Sequence, residues 1–374
     1  MSTQTYTDLN PSPRILLGPG PSMVHPRVLR ALSMPLVGHL DPDFLAVMND
    51  VQELLRYVFQ TQNQLTIPVS GTGSAGMEAS LCNFIEPGDA VLVAINGYFG
   101  IRLADMASRY GAEVDTLERP WGEVFDPDEI EMALKRRKYK LLALVHAETS
   151  TGALQPHIQA IADAAHRHGA LLVLDTVSSL GGVPVEIDAW GVDVAYSGSQ
   201  KCLSVPPGLA PLTVSERARA VLRSRSTPVA NWYLDLSLVE KYWGAERTYH
   251  HTAPVSMNYA LREGLRLVAE EGLEARFRRH RENALLLWEG LQDLGIELLV
   301  PAEHRLPTLT TPLVPAGVDE AAVRRRLLTE YNIEIAGGFG PLKGKIWRIG
   351  LMGFSSRREN VTLLLAALKA ILAS

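Results

Sequence analysis

Short, continuously apolar segments alternate with amphipathic helical patterns through the first half of the chain. The apolar segments are hydrophobic at nearly every position, whereas a strand with one solvated face is hydrophobic at every second position. Strands of this composition are buried on both faces, so the pattern predicts an α/β fold with a mostly parallel sheet covered by helices. The predicted strands are 65–69, 90–95, 141–146, 170–174 and 192–196, and the predicted helices are 43–60, 77–84, 103–110 and 157–168.

The pattern changes after residue 247, where two long helices are predicted over 257–271 and 273–294. Short strands follow at 297–300, 309–313, 333–336 and 346–349, and then a last helix at 360–372. The chain has 374 residues, more than one hydrophobic core usually serves. We therefore predict an N-terminal arm and large domain over 1–271, and a small C-terminal α+β domain over 272–374.

The amino-acid composition argues against several classes of protein. The only two cysteines, Cys82 and Cys202, form no disulfide framework, and no Cys/His cluster has metal-ligand spacing, so no metal site is predicted. A formal net charge of -5 gives no reason to expect nucleic acid or a membrane surface as partner. No apolar run approaches the roughly 18 residues of a membrane helix. Residues 1–14 are polar and 371–374 match no peroxisomal address, so we expect a cytoplasmic protein.

A glycine-rich turn, Ser70–Gly76, lies between a predicted strand and a predicted helix. Backbone N–H groups of such a turn can approach a phosphate, and the helix N-terminus adds the positive end of its dipole. The hydroxyls of Thr72 and Ser74 can add donors. The string also satisfies G-x-G-x-x-G of dinucleotide folds, but the next strand ends at Asn96 without the acid that binds ribose. A tight structural turn would explain the same string.

Two charged residues follow predicted strands, where parallel sheets bind ligands. Asp175 follows 170–174 directly, and in a pyridoxal phosphate (PLP) site such a carboxylate pairs with the pyridinium nitrogen. Lys201 ends the turn Ser197-Gly198-Ser199-Gln200-Lys201, and a lysine there can form a Schiff base and act as a base. A helix cap and a surface lysine are the alternative interpretations.

A third charge lies in the C-terminal region. Arg348 is the one charged residue within the apolar stretch 346–351. Its guanidinium could bind the α-carboxylate of an amino acid through two parallel hydrogen bonds. A structural ion pair would explain it equally well.

The order and spacing of these features are more specific than any one of them. Together they resemble the class V, fold type I PLP aminotransferases, and most closely the alanine–glyoxylate and serine–glyoxylate branch. The resemblance covers nearly the whole chain, through the strings at 17–21, 69–73, 146–152, 197–201, 206–208, 249–252 and 347–351.

The resemblance implies further roles around the cofactor ring. Phe99 would stack on the ring, at a position where the branch often has tryptophan. Val177 would pack on the opposite face of the ring, and Ser150 would hydrogen-bond the phenolic oxygen of the cofactor.

The resemblance also implies how the phosphate is held. Gln200, with Gly73 and Ser74, would bind the phosphate within one subunit. Tyr249 and Thr252 would reach the phosphate of the neighbouring subunit, which makes the active site a product of homodimerisation.

The predicted reaction is therefore transfer of the amino group of alanine or serine to glyoxylate or pyruvate, with Lys201 as general base and acid. A ureidoglycine–glyoxylate aminotransferase is the nearest alternative, although that branch tends to carry amides near His39 and Tyr249. A cysteine desulfurase would need a mobile-loop cysteine in the C-terminal third, and both cysteines lie elsewhere. A nucleotide-binding regulatory module using 71–76 is the non-enzymatic alternative.

Overall fold

The computed structural model describes residues 7–373, so the predictions made on residues 1–6 and Ser374 lie outside the described residues. In chain order, the strands are β1 Ile15–Leu16, β2 Leu65–Ser70, β3 Ala90–Ile95, β4 Glu113–Glu118, β5 Leu141–Val145, β6 Ala147–Glu148, β7 Ala153–Leu154, β8 Leu171–Asp175, β9 Val194–Tyr196, β10 Leu209–Val214, β11 Leu309–Thr310, β12 Ile333–Glu334, β13 Ala336–Gly337 and β14 Trp347–Gly350.

The α-helices are, in the same order, α1 Pro26–Leu32, α2 Pro42–Phe59, α3 Gly73–Cys82, α4 Tyr98–Arg109, α5 Pro127–Leu134, α6 Ile158–Arg167, α7 Ile187–Trp190, α8 Glu216–Arg223, α9 Leu236–Trp243, α10 Val255–Glu271, α11 Leu273–Asp293, α12 Glu320–Glu330 and α13 Arg358–Leu372. None of the helices within residues 7–373 is long and apolar enough to cross a membrane.

A seven-stranded sheet forms the main body, with the strand order β2-β10-β9-β8-β5-β3-β4. Strand β10 runs antiparallel to both of its neighbours, and the remaining pairs are parallel. Every residue of β5 and β8 is buried, so both faces of the sheet are covered there. The predicted fold class, α/β with a mostly parallel sheet, is confirmed.

Two strands of this sheet were not predicted. Strand β10 contains Pro211, which lacks the N–H group that a central strand normally donates. In the structure Pro211 lies opposite Pro68 of β2, and its carbonyl accepts a hydrogen bond from the Ser197 N–H at 2.8 Å. Strand β4 lies at the edge of the sheet and is partly exposed, so its alternating acidic residues resemble a loop in sequence.

The C-terminal part builds a smaller unit. Strands β11, β14 and β13 form an antiparallel sheet, while β1 pairs in parallel with β12. The N-terminal segment therefore contributes to this unit, and Leu17 is buried in its hydrophobic cluster. The strand predicted over 297–300 was wrong, because that segment makes only an isolated bridge between Leu298 and Pro312. The division of the chain at residue 272 stays a prediction.

Candidate active site

A cavity of about 200 Å³ lies at the carboxyl ends of β8 and β9. Residues from the glycine-rich turn, the start of α4 and the two strand ends meet there, although they are far apart in sequence. The residues lining the cavity are Thr72, Gly73, Ser74, Met77, Phe99, Arg102, Asp175, Val177, Tyr196, Gln200 and Lys201. The structure thus brings together the residues that were predicted to bind phosphate, flank a ring and carry the amine.

The phosphate end of this cavity is built by the start of α3. That helix begins at Gly73, whereas the sequence predicted a start at Met77, because the small residues of 73–76 hide its periodicity. The Thr72 side chain makes no capping hydrogen bond, so the first N–H groups of the helix remain available to a ligand. Gln200 lines the same cavity, and its Oε1 is buried without a hydrogen-bond partner among the described residues. A phosphate accepts hydrogen bonds, so the free N–H groups of the helix fit it directly. The Gln200 side chain fits it when its amide is turned so that Nε2, a donor, takes the place of Oε1.

Asp175 forms the floor of the cavity. Its carboxylate accepts hydrogen bonds from the Val177 N–H at 2.8 Å and from the Tyr196 hydroxyl at 2.6 Å. Burial raises the pKa of Asp175 to about 6, and the two hydrogen bonds oppose that shift. A cationic ring nitrogen held against this carboxylate would favour its charged form, so the site fits a protonated pyridine.

Lys201 lies beside Asp175 and is 9% exposed. Burial lowers the pKa of its amine to about 8, and the charge of Arg348 also lowers that pKa, whereas the charge of Asp175 raises it. The amine donates a hydrogen bond to the carbonyl of Pro19. At Gly20, where φ is +117°, an added Cβ would come within 2.8 Å of Lys201 Cδ. The N-terminal segment therefore leaves the lysine just enough room.

Arg348 approaches the site from β14 and is buried. Its Nε donates a hydrogen bond to the Gly337 carbonyl at 2.7 Å, and its Cζ lies 3.9 Å from the centroid of the Phe339 ring. Burial lowers the pKa of Arg348 to about 10, which leaves it charged at neutral pH. The charge of Glu148 acts on that pKa in the opposite direction, but no carboxylate of residues 7–373 lies within ion-pair distance of the guanidinium, so a direct ion pair does not explain it.

Arg348 is not among the residues that line the cavity, and neither are Ser150, Tyr249 and Thr252. The Ser150 hydroxyl donates to Glu148 Oε1 at 2.6 Å and accepts a hydrogen bond from the Tyr98 N–H at 2.9 Å. Tyr249 is 58% exposed, and Thr252 also lies on the surface. The roles given to these three residues by the resemblance stay predictions.

Sequence reasoning missed three polar residues at the site, namely Tyr196, Glu148 and Arg102. Tyr196 pairs in register with Asp175, which only the alignment of β8 with β9 reveals. Glu148 is fully buried, and burial raises its pKa to about 7. Arg102 follows Phe99 by three residues on α4, so helical spacing from Phe99 could have pointed to it.

The whole arrangement matches a known family. Residues 16–349 fit the family described as Aminotransferase class-V. The chain belongs to the class-V aminotransferases. Aminotransferases of this family use PLP, which confirms the predicted cofactor, the predicted enzyme class and the resemblance on which both were based. When bound, PLP supplies the electron sink for removal of a proton from the substrate Cα.

Several relatives cover almost the full length of the chain. The crystal structure of an alanine–glyoxylate aminotransferase from Nostoc sp. superposes with a TM-score of 0.97, at 57% identity over 99% of this chain and 98% of that one. The (S)-ureidoglycine–glyoxylate transaminase of Bacillus subtilis is 46% identical over 96% of this chain and 90% of its own length. The alanine–glyoxylate aminotransferase of Rattus norvegicus is 44% identical, over 96% and 87% respectively.

Because the chain belongs to an aminotransferase family, a nucleotide-binding regulatory module is no longer needed to explain the glycine-rich turn. The structure also argues against a cysteine desulfurase. A NifS-like protein shares the fold at 16% identity with a TM-score of 0.74. Both thiols of this chain are buried, and burial raises the pKa of Cys82 to about 12 and that of Cys202 to about 11. Neither sulfur can serve as an accessible, ionised nucleophile.

The role of Asp175 predicts the behaviour of a neutral variant. Asp175→Asn should retain the cofactor but lower kcat, because an amide cannot stabilise the positive charge of the ring. Hydrogen bonds to charged groups contribute about 1.5–3 kcal/mol, which corresponds to roughly 10- to 150-fold. Asp175→Glu should lose less. Steady-state kinetics at matched cofactor content is the measurement, and near-normal turnover of the Asn variant would show that Asp175 is only a structural residue.

The lowered pKa of Lys201 predicts how fast the cofactor-free protein captures PLP. Only the neutral amine attacks an aldehyde, and its fraction grows as pH rises through the pKa of about 8. The rate of covalent capture, followed by absorbance, should therefore rise from pH 6 and level off above about 9. Lys201→Ala serves as the control without capture. A rate that keeps rising towards pH 10.5 would show an ordinary, solvated lysine.

Proposed function

We propose that this chain transfers the amino group of alanine or serine to glyoxylate, with pyruvate as a further acceptor. The observation that carries the proposal is Arg348, a buried guanidinium with no carboxylate of residues 7–373 within ion-pair distance, whose charge lowers the pKa of Lys201. An amino acid and a 2-oxo acid share the carboxylate that such a group binds. The names of the relatives from Nostoc sp. and Rattus norvegicus support glyoxylate as acceptor.

Each residue then has a defined task. Arg348 binds the substrate carboxylate and orients the Cα–H bond towards the amine of Lys201. Lys201 Nζ takes the proton from Cα and later returns one, which its lowered pKa permits near neutral pH. Asp175 remains ionised and holds the ring nitrogen protonated. Phe99 and Val177 flank the cavity and keep water away from the reacting atoms.

The preference for a small donor follows from the charges of the cavity. Aspartate or glutamate would need a second cation beside Arg348 to bind the side-chain carboxylate. The other arginine at the site, Arg102, lies beside Ser74 at the opposite, phosphate end. Alanine and serine need no second cation, and they are the donors that this cavity favours.

Ureidoglycine is the second candidate donor, because of the relative from Bacillus subtilis at 46% identity. Where that branch tends to carry amides, this chain has the rings of His39 and Tyr249, with centroids 5.2 Å apart. The test is kcat/KM for alanine, serine, aspartate and ureidoglycine, each with glyoxylate. Highest values for alanine or serine would support the proposal. A preference for aspartate or ureidoglycine would overturn it.

We also propose a homodimer with shared active sites. The segment that carries Tyr249 and Thr252 is tied to the phosphate turn by a 2.7 Å hydrogen bond between His251 and Ser70. Next to it, Trp232 is 60% exposed and stacks on His250. Exposed aromatic residues of this kind are suited to burial by a second subunit.

Mixing two impaired variants tests the shared site. If Lys201 and Thr252 serve one site from different subunits, heterodimers of Lys201→Ala and Thr252→Val contain one fully wild-type site. The activity of the mixture after subunit exchange should then exceed the mean of the two parents. The control is a mixture of Lys201→Ala with Arg348→Ala, which should show no gain because both residues belong to one subunit. Full activity of a monomer in sedimentation would rule out the dimer.

A further inference from the structure

Arg102 is a cavity residue to which neither the family resemblance nor the proposed reaction gives a role. It lies on α4 three residues after Phe99, so both side chains project from the same face of that helix. Its guanidinium carbon lies 5.0 Å from the centroid of the Phe99 ring. Its Nη1 donates to Ser74 Oγ over 3.4 Å, at the first turn of α3.

The charge of Arg102 is not balanced within the described protein. No carboxylate of residues 7–373 lies within ion-pair distance of it, and Arg102 is only partly buried. On the same helix, Arg109 shows the usual arrangement, since its Nε contacts Asp105 at 2.9 Å. An arginine that faces a cavity without an acidic partner is free to bind an anionic ligand there.

The phosphate of the cofactor needs such a partner. Its charge near pH 7 is about -1.5 to -2, as for other phosphate monoesters. The side chains predicted to hold it, Thr72, Ser74 and Gln200, are neutral, and a helix N-terminus offers only about half a positive charge. The cations lining the described cavity are Arg102 and Lys201. The amine of Lys201 is assigned to bonding with the aldehyde of the cofactor, so Arg102 remains for the phosphate.

We propose that Arg102 binds the phosphate of PLP and supplies the positive charge that the neutral cradle at the start of α3 lacks. The guanidinium already shares a hydrogen bond with Ser74, one of the cradle residues. The positive charge of Arg102 also acts on Asp175 at the cavity floor. It lowers the pKa of that carboxyl, whereas burial, the larger effect, raises it. Arg102 is therefore a cofactor-binding residue and takes no part in proton transfer.

The proposal rests on the PLP assignment, and the test separates the two. PLP and pyridoxal, which lacks the phosphate, are each titrated into four cofactor-free proteins. These are wild type, Arg102→Gln, Arg102→Lys and Arg109→Gln. Arg102→Gln should weaken PLP binding by about 10- to 100-fold, the size of one charge-assisted hydrogen bond, and leave pyridoxal binding unchanged within about twofold. Arg102→Lys should recover part of the loss, and Arg109→Gln should change neither affinity.

Three results would overturn the proposal. Equal PLP affinity of wild type and Arg102→Gln would show that Arg102 has another partner, such as an acid of a second subunit. An equal loss for PLP and pyridoxal would place its role at the ring or in local packing. A loss confined to kcat/KM for aspartate would make it a ligand of a donor side chain. If wild type itself binds PLP no better than pyridoxal, the cofactor assignment fails instead.

Discussion

Replacing Lys201 with alanine is expected to lower turnover by about 10⁴-fold, the upper range for loss of a general base. The substitution removes both the amine that bonds to the cofactor and the base that moves the Cα proton. PLP should still bind, because the phosphate cradle at 72–74, Asp175 and the flanking side chains of Phe99 and Val177 remain in place. A protein that keeps its cofactor but not its activity is the expected phenotype.

The experiment compares single-turnover rates and cofactor content after dialysis. Lys343→Ala, at an exposed lysine, is the matched control and should behave like wild type. Addition of a small primary amine should recover part of the lost rate, since the amine can replace the missing base. Near-normal turnover of Lys201→Ala would refute the catalytic assignment outright.

Arg348→Ala is expected to lower kcat/KM by about 30- to 3,000-fold. Losing one partner of a buried, hydrogen-bonded charge pair costs about 2–5 kcal/mol, and each 1.4 kcal/mol is roughly tenfold. The loss should be uniform across donors and acceptors, because every substrate presents the same carboxylate. Arg348→Lys should recover only part of it, since an ammonium cannot form two parallel hydrogen bonds.

A matched control comes from the same region of the chain. Arg324 on α12 makes a partly exposed ion pair with Glu320, and such pairs contribute about 0–1 kcal/mol. Arg324→Ala should therefore leave kcat/KM close to that of wild type. Unchanged kcat/KM in Arg348→Ala, or a loss limited to one donor, would show that Arg348 does not bind the shared carboxylate.

The parallel part of the sheet was predictable because strands buried on both faces are apolar throughout. Strand β10 was not, because Pro211 argues against a central strand unless its neighbour is known, and that neighbour presents Pro68. Strands were predicted at 309–313, 333–336 and 346–349, and each of these segments contains a strand. Their bounds were not predictable, because strands of two to four residues are too short to show a period.

The residues of the site also fall into two groups, those whose position could be predicted from the sequence and those whose position could not. Asp175 ends β8 and Lys201 ends the short turn after β9, so their position at the sheet edge could be predicted from local sequence. The Tyr196 hydroxyl on Asp175 depends on strand register, and the approach of Arg102 to Ser74 depends on how α4 packs against α3. Such contacts between distant segments leave no signal in the spacing of residues along one chain.

The central claim is that Lys201 is the residue that bonds to PLP in this aminotransferase. The most direct test is to reduce the PLP-loaded protein with borohydride, digest it and map the labelled peptide by mass spectrometry. We predict one reduced adduct, on Lys201, and its loss when alanine is added before the reduction, because the substrate amine then replaces the lysine. An adduct on any other lysine, or one that alanine leaves unchanged, would contradict the claim.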